Sequence, residues 1–217
     1  MKKLFIILVS FFMVFNTNAQ FETAKQIYSS PQLPELLSNA KSVAILPFKV
    51  SISYKRMPKG MTSEMIRQNE LEESTQMQQG MFTYLLRKSD DYTVSFQEVD
   101  RTNALLKKEG VYDHLDEILA DSICKILKVD AIIRSNWTYA KTGSEAGAIA
   151  TAVLIGVSKP TASGQLVMQI YGNKTGELAW RMSKEMNESA FSSANELMER
   201  MMRKVGRNFP FEKPNSK

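Results

Sequence analysis

Val43-Ala44-Ile45-Leu46-Pro47-Phe48 is apolar at every position. A run apolar on both alternating faces suits a strand buried inside a sheet, covered above and below. Pro47 has no N–H to give to a ladder, so it belongs where that strand ends or meets an edge. Downstream comes a polar stretch, Ser51 to Gly60, and then Thr62 or Ser63 opens a long helix reaching about Lys88. Met77, Met81, Leu85, Phe82 and Leu86 give its second half an apolar face. Its first half, Arg67 to Gln76, is nearly all polar and is expected to face solvent or a partner.

From Tyr92 to Val99 the pattern alternates as a strand, with Val94 and Phe96 on one face. Asp100 is placed to cap a short helix stopped by Gly110, and Asp113 to cap a second. In that second helix Leu115, Ile118, Leu119, Ile123, Ile126 and Leu127 fall on one face, so Leu119 is expected in the core. Ala131-Ile132-Ile133 starts another strand, running to about Tyr139. Gln165–Tyr171 and Glu177–Met182 read as two strands joined by Gly172-Asn173-Lys174-Thr175-Gly176, a hairpin loop. Ser193-Ala194-Asn195-Glu196 has the form of a capping box for a last helix, which buries Leu197, Met198, Met201 and Val205 and ends before Pro210. The order implies an α/β domain: a βαβαβ parallel core, extended at its edge by an antiparallel hairpin, with helices packed on the sheet.

Upstream, Lys2 and Lys3 precede an apolar run from Leu4 to Phe15, then Asn16-Thr17-Asn18-Ala19. That is the order of a cleavable signal peptide, 1–19, with export and a mature terminus at Gln20. As a helix the apolar run rises only about 18 Å, too short for a hydrocarbon core of roughly 30 Å. No cysteine stands at the cleavage point to be lipidated. The expected organisation is signal peptide 1–19, amino-terminal arm 20–40, one α/β domain 41–211 and a polar tail 212–217. Loss of Lys2 and Lys3 takes the formal net charge from +5 to +3, which gives no argument for nucleic acid. Cys124 is the single cysteine, so no internal disulfide forms. Its apolar helical neighbours suit a buried structural thiol.

Three motifs in this order resemble the TolB amino-terminal-like superfamily, the group holding the curli secretion channel subunit CsgG and the peptidoglycan-synthase activator LpoB. Val43–Phe48 is similar to its opening "VAVLPF" strand. Leu127-Lys128-Val129-Asp130-Ala131-Ile132-Ile133 is similar to its "LGADAVV" strand, with Lys128 where glycine is usual. Thr175-Gly176-Glu177-Leu178-Ala179-Trp180 is similar to its "TGEVLW" strand. The chain also resembles a group of secreted proteins of Bacteroidetes-type bacteria, which the Ala19-Gln20 junction suits. The resemblance implies the TolB-like fold and action by assembly with other envelope proteins rather than by catalysis. CsgG and LpoB are lipoproteins, and this chain has no cysteine at the expected cleavage point to carry a lipid.

Catalytic signals are weak. His114 is the only histidine, and no nucleophile elbow or zinc-ligand spacing accompanies it. Gly172-Asn173-Lys174-Thr175 lacks the glycine and lysine spacing of a phosphate loop and reads as a turn. Glu72-Glu73 and Asp90-Asp91 are adjacent in sequence and do not face one another on a helix. No catalytic residue, metal site, cofactor or small-molecule substrate is expected.

Two features stand out. The chain from Lys41 to Lys59 carries Lys41, Lys49, Lys55, Arg56 and Lys59 and no acid. Lys55, Arg56 and Lys59 follow the first strand, where open α/β sheets keep their crevice, and Trp137, Tyr139 and Lys141 end another strand. These six form a candidate site for an anionic ligand or partner, against the plainer reading of a solvated loop. The second feature is the uncharged run Ala146 to Val157, whose Gly147, Ala150, Val153 and Gly156 suit an assembly or membrane contact, or a buried core segment. The leading expectation is a non-enzymatic envelope protein on the periplasmic side, acting on other envelope proteins or by self-association, with peripheral contact to the outer membrane. The alternatives are a subunit of a CsgG-like outer-membrane secretion pore and an enzyme built on carboxylates.

Overall fold

Alternation along the strand that opens the domain decides how both sides of the sheet are filled. Val43 and Ile45 enter one apolar core and Ala44 and Leu46 enter another, all four almost fully buried. The computed structural model describes residues 26–55, 57–141, 162–188, 194–206 and 208–214. In chain order its elements are β1 (Gln26–Ser29), α1 (Leu33–Asn39), β2 (Ser42–Ile45), β3 (Lys49–Tyr54), α2 (Ser63–Arg87), β4 (Ser95–Phe96), α3 (Val99–Lys108), α4 (Ala120–Leu127), β5 (Ala131–Lys141), β6 (Ala162–Gly172), β7 (Leu178–Glu188) and α5 (Ala194–Gly206).

The strands form one seven-stranded sheet in the order β1-β7-β6-β5-β2-β4, with β3 also on β5. β2 lies parallel to β4 and β5, and β6 and β7 continue antiparallel from β5. This is the expected α/β architecture of a parallel core with an antiparallel hairpin on its edge. α2 and α5 cover one face through Met77, Met81, Met198, Met201 and Met202. The other face carries α3 and α4 through Leu106, Ile123 and Leu127.

Two strands were not expected. β1 emerges from the amino-terminal arm and pairs antiparallel with β7. β3 occupies part of the polar stretch after the first strand and pairs with β5 from Asn136 to Lys141. β2 pairs with Ala131–Ile133 of the same β5. Leu46, Pro47 and Phe48 therefore stand opposite only Arg134 and Ser135, as a bulge-like break in one nearly continuous line of pairing. Proline at the break removes a donor that would have no ladder partner there.

Four local expectations are corrected. The strand at Tyr92–Val99 is only the two residues of β4. α3 starts at Val99 behind Glu98, so Asp100 sits in the first turn rather than at the cap. Asp113 lies in a 3-10 segment, Tyr112–Glu117, and α4 begins only at Ala120. The break between them takes Leu119 out of the core: it precedes α4 and is 74% exposed. Ser193 lies outside the described residues. At the start of α2 the cap is as expected, with Thr62 Oγ1 accepting from the Met65 N–H at 3.2 Å.

Just before β4, residues 91–93 pair with the chain's last described segment. Thr93 N–H donates to the Phe211 carbonyl at 2.9 Å, Lys213 N–H donates to that of Asp91 at 2.8 Å, and Tyr92 bridges to Glu212. Phe209 and Phe211 are buried beside Tyr92 and Trp180.

α4 ends on Lys128, whose φ of 56° and ψ of 49° are left-handed. The Val129 N–H returns to the Cys124 carbonyl at 3.1 Å, closing the helix end. Glycine adopts this conformation without the Cβ penalty that lysine carries. Asp130 then brackets the start of β2: its Oδ2 accepts from the Lys41 and Ser42 N–H groups at 2.9 and 3.0 Å and from the Ser42 hydroxyl at 2.9 Å.

Candidate functional site

Breaking β2 at Pro47 frees two carbonyls, and α2 supplies donors to both. Ser74 donates to the Phe48 carbonyl at 2.6 Å and Gln78, four residues on along the same helix face, donates to that of Ile45 at 2.8 Å. Gln78 is fully buried. It also exchanges two hydrogen bonds with Asn103 of α3, each 3.0 Å. Nearby, Gln97 donates to the Leu127 carbonyl at 2.9 Å and accepts from Thr102 at 3.0 Å. Beyond the carboxyl ends of the strands, where open α/β sheets place ligands, this protein places its own amides.

Beside the break lies a cleft of about 460 Å³, within the usual range of roughly 300–1,000 Å³ for ligand sites. Arg134 and Asn136 of β5 and Lys49 of β3 line it from the sheet, Arg67, Glu70 and Leu71 from α2, and Tyr112–Glu117 from the opposite side. Most of its polar groups are engaged. Lys49 pairs with Asp116, and Glu70 accepts from the Ile52 N–H at 2.8 Å. His114 Nδ1 lies 3.7 Å from Glu117. The Arg134 guanidinium donates to the Leu115 and Ile118 carbonyls at 3.1 and 3.3 Å and lies over the Tyr171 ring. Burial raises the Tyr112 hydroxyl above its ordinary range, and the adjacent Asp113 charge adds to that.

The residues singled out in sequence fall into three groups. Lys55 and Lys59 are exposed, and Lys55 follows β3 rather than the first strand. Pairing of Tyr54 with Lys141 brings the ends of β3 and β5 side by side, so the backbone positions of Lys55 and Lys141 are neighbours. Trp137 and Tyr139 do not join them at the surface. Both are buried, their rings stacked 5.8 Å apart inside the main core, because odd-numbered positions of β5 face α2. Arg56 lies outside the described residues, as do Gly147, Ala150, Val153 and Gly156. Lys49, the remaining basic residue of the β3 segment, is held by Asp116.

Cys124 is buried, and burial, with the Asp121 and Asp130 charges, pushes its thiol up to about 12. A thiol so raised is no nucleophile at neutral pH. Among the described residues no group of three histidine, cysteine, aspartate or glutamate side chains is placed to hold a metal ion, and no helix is long and apolar enough to cross a membrane.

What sequence reasoning missed is the Gln78–Asn103 pair and the cleft. A signal existed for the first: Gln78 is an amide inside the apolar face set by Met77, Met81 and Leu85. The cleft had none, because it depends on β3 and the 3-10 segment.

No family model matches this sequence, and no curated protein matches it. Among solved structures, the chain is similar to the lipoprotein GNA1162 from Neisseria meningitidis, at 9% identity and a TM-score of 0.43, over 78% of this chain and 97% of that one. It is similar to PelC, solved as a dodecamer from Paraburkholderia phytofirmans, at 11% identity and a TM-score of 0.44, over 88% and 99%. It is also similar to the LpoB carboxyl-terminal domain from Salmonella enterica, at 12% identity and a TM-score of 0.35, over 73% and 94%.

Proposed function

We propose that this is an exported, non-enzymatic protein of the cell envelope that works by holding other envelope proteins on the periplasmic side. The observation that carries the reading is the filled crevice. At the carboxyl end of β2, Gln78 and Asn103 satisfy one another and the Ile45 carbonyl, and so occupy the place where a fold of this class holds a substrate. In the neighbouring cleft, charges of both signs are fixed by partners of their own. Such a surface offers a partner a rigid pattern of charge, which favours selective docking over chemistry. The exposed Lys55 and Lys59, after β3, add positive charge elsewhere on the surface.

The test is affinity capture from the native envelope with the exported chain immobilised, together with fractionation of the native protein. The expected result is retention of one or a few proteins in a salt-sensitive manner and release of the chain from the membrane pellet by mild salt. Retention of nothing above bare resin overturns the reading. A chain that stays in the pellet through high salt and alkaline carbonate points instead to the pore subunit.

A further inference from the structure

The sheet has outer edges, and they are treated unequally. β4 is only two residues long, and the residues just before it pair with the segment around Phe211. β3 has the outward Ile52 N–H taken by the Glu70 carboxylate at 2.8 Å. β1 has neither device. All four of its residues are exposed, including Ile27 at 40% and Tyr28 at 48%, and none is charged. Natural edge strands are normally protected by charge, proline, a bulge or a covering segment, because unpaired N–H and C=O groups recruit another strand.

The register shows which groups are on offer. Ser30 N–H donates inward to the Ala179 carbonyl at 2.8 Å. By the two-residue alternation of an antiparallel ladder, Tyr28 and Gln26 also point their backbone groups inward, and Ile27 and Ser29 point theirs outward.

We infer that β1 is the contact through which two copies of this chain join, strand to antiparallel strand, into one continuous sheet. This inference goes beyond the proposed function by adding self-association. The occupant is a second copy because β1 is self-complementary. A two-fold axis perpendicular to the sheet must relate each residue to one on the same face, and an axis at Tyr28 does so while pairing Ile27 of each copy with Ser29 of the other. All the outward N–H and C=O groups of those two residues are then satisfied. The tyrosines meet as a non-hydrogen-bonded pair, with Cα atoms about 4.5 Å apart, an aromatic cross-strand contact. No like charges oppose one another within the strand. Arg181, opposite Tyr28 on β7, lies beyond the tyrosine pair from its counterpart. At about 14 Å, three strand spacings, the two arginines are separated by more than the screening length of about 8 Å at physiological salt.

The experiment measures the mass of the exported chain by sedimentation as a function of concentration, for wild type and two kinds of variant. Ser29→Pro removes an outward donor and leaves the inward ladder intact; it is expected to weaken dimerisation by roughly tenfold or more with an unchanged melting temperature. Tyr28→Cys under mild oxidation is expected to give a covalent dimer, since Cys124 is buried and non-hydrogen-bonded pairs approach disulfide geometry. Ile27→Cys and Ser29→Cys, each opposite a different residue of the second copy, are expected not to cross-link. A wild-type chain monomeric at every concentration, a Ser29→Pro variant that dimerises as wild type does, or cross-linking through Ile27→Cys in preference to Tyr28→Cys overturns the inference. A monomer that still captures envelope proteins ends this inference alone; a dimer that captures nothing ends the proposed function alone.

Discussion

Where β2 breaks, the parallel half of the sheet meets its helices through polar side chains: the Ser74 hydroxyl and the Gln78 amide reach backbone carbonyls, and Gln78 pairs with Asn103. Where β5, β6 and β7 run long, the antiparallel half meets its helices through rings and thioethers, with Trp137, Tyr139, Trp180, Met168 and Met182 packed against one another or against α5. The short parallel strands leave carbonyls that side chains must satisfy. The long β5–β6 and β6–β7 ladders pair their carbonyls within the sheet, so their faces are free to be apolar and are limited by volume instead. Damage to the two halves should therefore be repaired by different kinds of second change.

Gly164 gives the sharpest test of the antiparallel half. A Cβ built there would lie 2.3 Å from Trp137 Cη2 and 2.8 Å from Tyr139 Cβ. Gly164→Ala should destabilise by about 3 kcal/mol, the upper range for overpacking a close-packed core. Shortening the ring with Trp137→Leu should recover part of the loss; denaturant unfolding of the single and double variants measures it. Additive losses would show that the glycine matters for its backbone and not for space.

In the parallel half, Gln78→Leu leaves the Ile45 carbonyl and the Asn103 amide without partners. The cost should be about 2 kcal/mol, set by desolvated groups left unpaired. Here Asn103→Leu added to Gln78→Leu should recover part of the loss, since removing both members of a buried pair costs less than removing one, while the Ile45 carbonyl stays unpaired. If a smaller neighbour rescues as well as a second apolar one does, the contrast between the halves fails.

Asp130 joins the halves, and its contribution should depend on pH. Burial works to raise its carboxyl, and the Lys41 N–H, the Ser42 hydroxyl and N–H, and the Lys41 charge together outweigh that, so it lies below its usual value of 3.8. A carboxyl lowered in the folded state stabilises fully above its unfolded pKa, near 3.9, and the gain disappears as pH falls through the folded value. Asp130→Asn should cost about 1.5 kcal/mol at neutral pH, and the gap to wild type should close in acid, below about pH 4. A gap independent of pH would assign the loss to packing.

The smallest change should be a gain. Lys128→Gly relieves a left-handed lysine but loosens the unfolded chain, for a net stabilisation of about 0.5–1 kcal/mol. A loss would mean that the lysine side chain contributes more than its backbone costs.

Much of this was legible in the residues. Val43–Phe48 and Ala131–Ile133 are apolar on both faces, and only a strand inside a layered sheet can use them. Glycines bracketing residues 172–176 marked the hairpin, and Thr62 marked the start of α2. β3 was legible in principle, since Val50, Ile52 and Tyr54 alternate with the exposed Lys49, Ser51 and Ser53. Its polar members and the preceding proline disguised it. β1 could not be read, because four half-polar residues form a strand only when β7 is there to receive them. Leu119 misled for a similar reason: helical spacing holds only within one helix, and the chain turns between Glu117 and Ala120. The filled crevice needed three dimensions, since Gln78 and Asn103 meet only once α2 and α3 are packed.

The pairing of residues 91–93 with Phe211 and Lys213 has a consequence for how the protein is made. A strand of two residues has little pairing of its own, and the segment that pairs beside it lies over a hundred residues later in the chain. The ribosome must therefore deliver residues 209–213 before the sheet can be completed, and pairing of such long range is slow to form. Until then the backbone groups of residues 91–93 lack those partners. The last described segment is therefore a late-arriving latch on the part of the sheet made first.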